Sequence, residues 1–185
     1  MTHALPRSFT ALAWSNLAAQ SAEQLSLAAV PIVAVMALNA GPGEVGMLAT
    51  AQTLPFLLLS IPLGLLADRG SRKRLMVLAE TVRAVSLLAI LLALVTGTAT
   101  LGLLAVLGFI GAVGTVGYSV AAPALLPSLV SGEALAQANG RLELARSAAY
   151  AAGPALAGAL VAWMGASSAF VLAAILSGVA VALSA

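Results

Sequence analysis

Six apolar runs, each about as long as a lipid bilayer is thick, fill this chain almost end to end. They lie near residues 12–38, 45–67, 76–96, 101–122, 142–163 and 168–185. A helix needs roughly 20 mostly apolar residues to cross the hydrocarbon layer. The breaks between runs carry turn chemistry: NAGPG at 39–43, TGTAT at 96–100, PALLPSLVSGE at 123–133 and MGASS at 164–168. No run alternates polar and apolar residues as a barrel strand does, so the runs are helices. The fold class expected is an all-α membrane protein, a bundle of six transmembrane helices.

Composition leads to the same place. Hydrophobic residues make up 62% of the 185 and charged residues 8%, against about 25% charged in soluble domains. The N-terminal apolar run is too long for a signal-peptide core, and it reads as a retained first span. There is no cysteine and His3 is the only histidine, which removes disulfides and zinc sites built on Cys or His. No nucleotide-binding loop and no Ser/His/Asp set is present. No enzyme activity and no cofactor is expected. The net charge of +2 rests on eight bases with no interleaved aromatics, so nucleic acid is not an expected partner.

Those bases are placed by side. Arg7 precedes span one, Arg69, Arg72, Lys73 and Arg74 fall between spans two and three, and Arg141 precedes span five. The connections at 39–44, 96–100 and 164–168 hold no Lys or Arg. Basic loops stay inside, so the expectation is a multi-pass protein of the plasma membrane with both termini cytoplasmic.

One acid breaks the basic loop. Asp68 follows an apolar helix, with Gly64 one turn earlier on the same face. Glycine admits a neighbouring backbone, so Asp68 can meet another helix end or a base and act as a latch.

Gly64-Leu65-Leu66-Ala67-Asp68-Arg69, followed by Arg72-Lys73-Arg74-Leu75, resembles the loop between helices two and three of the major facilitator superfamily. Ser71 stands where that family usually has glycine, and Gly70 lies one place earlier. Span five, ARSAAYAAGPALAGALV, resembles the family's exporter element through Gly153, Pro154 and Gly158. Ala149, Gly153 and Ala157 also give a small-residue face for close helix contact, with ordinary tight packing as the other reading. The run from Ala134 to Val161 is most similar to the siderophore- and macrolide-efflux branch.

The resemblance implies half of a twelve-helix fold, built as inverted three-helix repeats over 1–98 and 99–185, though the residues themselves show no internal symmetry. It implies alternating access on a small amphipathic solute, efflux or antiport, with membrane lipid, the solute and a second six-helix half as partners. The other reading open at this point is a six-span subunit that assembles with a partner and transports nothing. Drug–proton exporters of the family usually carry an arginine in span four, and here that span is uncharged.

Among polar residues within the spans, Glu23 stands out. It lies midway along span one, on one stripe with Asn16 and Gln20 and with Gln24 beside them. An acid at the bilayer centre costs about 2.5–3.5 kcal/mol on insertion scales, so it needs a partner or a wet cavity. A proton- or cation-binding cavity wall and a permanently protonated interhelical contact both meet that need. Thr115, Tyr118 and Ser119 add hydroxyls to span four, whose glycines at 108, 111, 114 and 117 wind around the helix for close packing on several sides. In a lone half, this stripe and these hydroxyls are expected to face lipid. Glu80 with Arg83 and Glu143 with Arg146 are spaced for local ion pairs near the cytoplasmic ends of spans three and five.

Overall fold

The computed structural model describes residues 6–130 and 132–185, with the side chains of Arg7 and Glu133 left aside. Among the described residues six helices follow one another: α1 (Arg7–Leu38), α2 (Pro42–Arg69), α3 (Arg72–Val95), α4 (Leu101–Leu129), α5 (Glu133–Met164) and α6 (Ser168–Ser184). Five are long and apolar enough to cross a membrane, while α6 has 17 residues. At 1.5 Å per residue, α6 reaches about 26 Å, a little short of the hydrocarbon thickness.

The helix ends follow from local chemistry. Asn39 takes the left-handed conformation (φ 54°), and the Ala40 amide donates to the Ala34 carbonyl at 3.0 Å, closing α1. Pro42 opens α2 where no intrahelical donor is needed, and the Gly41 amide donates to the Glu44 carboxylate at 2.8 Å. Thr100 caps α4, its hydroxyl accepting the Leu103 amide at 3.2 Å.

Two boundaries differ from the sequence expectation. The stretch beginning PALLPSL continues α4 through Pro123 and Pro127 to Leu129, and α5 starts at Glu133 rather than near 142. A proline removes one donor, its own, and a helix with neighbours absorbs that loss. The first turns of α5 are too polar to count as span, yet Ala, Leu, Gln, Glu and Arg are good helix formers. Of the break placed at 123–133, Ser131 lies outside the described residues.

Packing divides the helices into two sets. α1 lies against α5 and α6, α4 lies against α2 and α3, and α3 also meets α6. Glycines set how closely α4 approaches its partners. A side-chain carbon on Gly117 would sit 2.8 Å from Ala79 Cβ, and one on Gly114 would collide with the Ala79 carbonyl. Gly108 faces Gln52 of α2 instead. The winding of these glycines around α4 therefore serves two neighbours, α2 and α3. On α5, Ala149, Gly153 and Ala157 are buried, with Gly153 packed on Gln24 of α1.

The core has two apolar parts. Phe9, Leu12, Met76 and Leu126 pack at the end that carries the basic residues, and Val30, Val33, Ile90, Leu104 and Phe170 pack toward the other end. Between them lies a polar layer. Outward faces hold Leu57, Ile61, Leu92 and Trp163, an apolar exterior of the kind lipid covers.

Candidate functional site

The polar layer is built from helix midpoints. Glu23, Arg83, Thr115 and Ser177 each fall near the middle of α1, α3, α4 and α6. Arg83 anchors the layer. Its Nε donates to Glu80 Oε1 at 3.2 Å and its terminal nitrogen donates to the same carboxylate at 2.5 Å, with both side chains buried. Ser177 donates to Glu80 Oε1 at 2.5 Å, and Arg83 donates to the Thr115 hydroxyl at 3.5 Å. The Arg83 guanidinium also sits 5.9 Å from the Tyr118 ring centre, within cation–π range.

The Glu80–Arg83 pair is thus local, as its spacing suggested, but it is not at a cytoplasmic helix end. It sits in the core and ties α3 to α4 and α6. Burial makes such a network hard to do without: removing one partner would strand a charge in an apolar surround.

Glu23 lies in the same layer under different conditions. It is 8% exposed, and among the described residues its carboxylate has neither a hydrogen bond nor an ion pair. It lines a narrow cleft with Ser26, Gln52, Arg83 and Thr115, whose free volume of about 30 Å³ is room for a water or two. Arg83 and Arg146 are the cations near enough to act on it electrostatically.

A second cleft opens toward the basic end between α1, α4 and α5. Asn16, Gln20 and Ser119 line it with Asn139, Glu143 and Arg146, around about 70 Å³. The Asn16 amide donates to the Leu142 carbonyl at 3.2 Å, joining α1 to α5. Glu143 and Arg146 do not form the local pair their spacing suggested; the Arg146 guanidinium lies 5.5 Å from the Tyr150 ring centre. Both are exposed, and a solvated guanidinium gains little from a carboxylate.

The remaining expected site residues separate. Tyr118 lines neither cleft: it is 1% exposed, and its hydroxyl is 3.0 Å from Ser15 Oγ, which in turn lies 2.7 Å from Ser184 Oγ. Gln24 is buried against Gly153 with its amide nitrogen unpartnered. The expectation that the polar stripe of a lone half faces lipid does not hold. Asn16, Gln20, Glu23 and Thr115 are all buried, because α2, α3 and α5 enclose them within one bundle.

At the α2–α3 turn, Asp68, Arg69 and Lys73 are exposed and Arg72 is half-buried. Among the described residues, and apart from its own helix backbone, nothing approaches within 4 Å of the place a Gly64 side chain would occupy, and the same is true of Gly158. Pro154 is exposed on a helix that continues past it. Of the span-five element, Gly153 alone is in tight contact.

Sequence reasoning missed Arg83, Glu80, Ser177 and Gln52 as parts of the central layer. Counting from true helix ends would have found the first two, since α3 begins at Arg72 and they lie well inside it. Comparison with known proteins adds that a family model described as Major Facilitator Superfamily matches residues 12–185. No curated protein matches the chain.

Proposed function

The chain belongs to the major facilitator superfamily, a family of membrane transporters, and we propose that it is one six-span bundle of an exporter that moves small amphipathic solutes by alternating access. The observation that carries the reading is Glu23: a mid-bundle acid, buried, unpaired, and facing a cleft beside Arg83 and Thr115. An unpaired acid at that depth is costly unless it exchanges a proton or a cation. In this reading Glu23 takes up the coupling proton or a cationic group of the solute, and Asn16, Gln20, Ser119 and Thr115 line the route to it.

Helix pairing supports inverted repeats. Exchanging α1 with α4, α2 with α5 and α3 with α6 turns the contacts of α1 with α5 and α6 into those of α4 with α2 and α3. α6 is the sixth span, both termini are cytoplasmic, and the bilayer is the plasma membrane, in keeping with the one-sided basic loops. The empty space beside Gly64 and the exposed Asp68 suit a latch completed by a second bundle, with Arg72 beside it and Arg69 and Lys73 flanking it. Gly153, Pro154 and Gly158 belong to the same exporter machinery, Gly153 by seating α5 on α1.

The test is reconstitution. The purified chain is sized in detergent, placed in liposomes and supplied with ethidium under an imposed pH gradient. Assemblies holding two bundles are expected to move ethidium, and single bundles to be inert. A monomer that transports would overturn the half-transporter reading. Two-bundle assemblies that move no ethidium under either gradient direction would overturn export of cationic amphipathic solutes.

A further inference from the structure

The cleft beside α5 has a charge arrangement that the transport reading does not use. Glu143 and Arg146 project into it from one face of α5, one turn apart, and are not joined in a salt bridge. Elsewhere in the chain the same spacing gives a closed pair at Arg83 and Glu80. Arg146 lies beside Tyr150, its guanidinium 5.5 Å from the ring centre.

Two further observations point to a ligand. Gln20 is 7% exposed and lines the cleft, yet its side-chain amide has no protein partner among the described residues. Its amide is open to the cleft, and so is available to a molecule bound there. The cleft is also reachable: at 1.5 Å per residue, about 27 Å of helix separates Arg146 from the far end of α5 at Met164, near the opposite edge of the hydrocarbon layer. Beside it the exposed face of α5 continues through Ser147, Tyr150 and Ala151.

We infer that this cleft is a recognition site for a zwitterionic head group of the α-amino-acid type, carrying its ammonium to Glu143 and its carboxylate to Arg146. A lone anion would use only Arg146, and a lone cation only Glu143. A head with both charges on adjacent carbons bridges two side chains that do not reach each other. Gln20, with an acceptor and two donors, serves either end of such a head. The cleft volume of about 70 Å³ suits the head alone, and an apolar tail lies along the exposed face of α5 beside Tyr150. This deepens the proposed function by naming a substrate class, and rests on the reading of this cleft as part of the solute route.

Binding, measured without transport, separates the two claims. The full chain in lipid nanodiscs is titrated by calorimetry with L-phenylalanine, 2-phenylethylamine and 3-phenylpropionate, which share a ring and differ in charge. Phenylalanine is expected to bind about tenfold more tightly than either single-charge compound, the scale of one charge-assisted hydrogen bond. Arg146→Gln should remove its advantage over phenylethylamine, and Glu143→Gln its advantage over phenylpropionate. Arg146→Lys should restore part of the loss, and far-ultraviolet circular dichroism confirms that each variant is folded. Equal binding of all three probes, no binding of phenylalanine, or unchanged preference in the folded charge variants would overturn the inference. Failure of ethidium transport alongside the expected binding pattern would fall on the transport reading alone.

Discussion

α3 and α5 each carry a glutamate followed three residues later by an arginine, and the two pairs behave in opposite ways. On α3 the carboxylate and guanidinium close on each other, and Ser177 and Thr115 complete the shell from α6 and α4. On α5 the two side chains stay apart and the arginine turns to an aromatic ring. Sequence spacing permits a pair; burial compels it. Where water or a ligand can reach the charges, the gain from pairing is small and other contacts decide. Glu23 combines the two conditions, buried like Glu80 and unpaired like Glu143.

Breaking the α3 pair is expected to have the largest effect. Glu80→Gln or Arg83→Gln should lower stability by about 3–5 kcal/mol, because each leaves a buried charge alone. Unfolding in mixed micelles with increasing dodecyl sulfate measures it. Replacing both together, as Glu80→Met with Arg83→Leu, should recover most of the loss. A single substitution costing under about 1 kcal/mol, the range of exposed pairs, would erase the contrast between the two helices.

Ser177→Ala sharpens the comparison from the α6 side. It removes the hydroxyl donor to Glu80 and should cost about 1.5–3 kcal/mol, the range for hydrogen bonds to charged groups. The same unfolding assay reads it, and a neutral result would remove α6 from the network.

The glycines test whether the tight helix contacts also differ. Gly114→Ala places a carbon against the Ala79 carbonyl and should destabilise by about 1–3 kcal/mol through overpacking. Gly158→Ala meets nothing within 4 Å and should be neutral or gain up to about 1 kcal/mol from helix propensity. Equal effects would show that α4 sits further from α3 than described.

The smallest effect is expected on α5. Glu143→Gln and Arg146→Gln should each change stability by no more than about 0.5 kcal/mol, as exposed substitutions do. A larger loss in either would mean that the pair closes after all.

How much of this was legible in the sequence depends on what each feature needs. The helices were, because 20-residue apolar runs admit few other structures. Glu23 was visible as an acid without local company. Its surroundings were not, since Arg83 and Thr115 come from helices whose approach depends on glycine contacts at Gly114 and Gly117. The continuation of α4 past Pro123 was hidden because proline signals a break that neighbouring helices can override. Tyr118 gave a hydroxyl but no direction, and only packing against Ser15 turned it inward.

One acid of the polar layer, Glu80, is locked, and another, Glu23, is available. Dicyclohexylcarbodiimide, an apolar reagent, attacks carboxyl groups that can hold a proton in apolar surroundings, and peptide mass spectrometry locates the adduct. Modification is expected at Glu23, with loss of the adduct in Glu23→Gln, and none at Glu80, which Arg83 and Ser177 hold. Modification of Glu80, or none at Glu23 at any pH, would contradict that difference between the two acids.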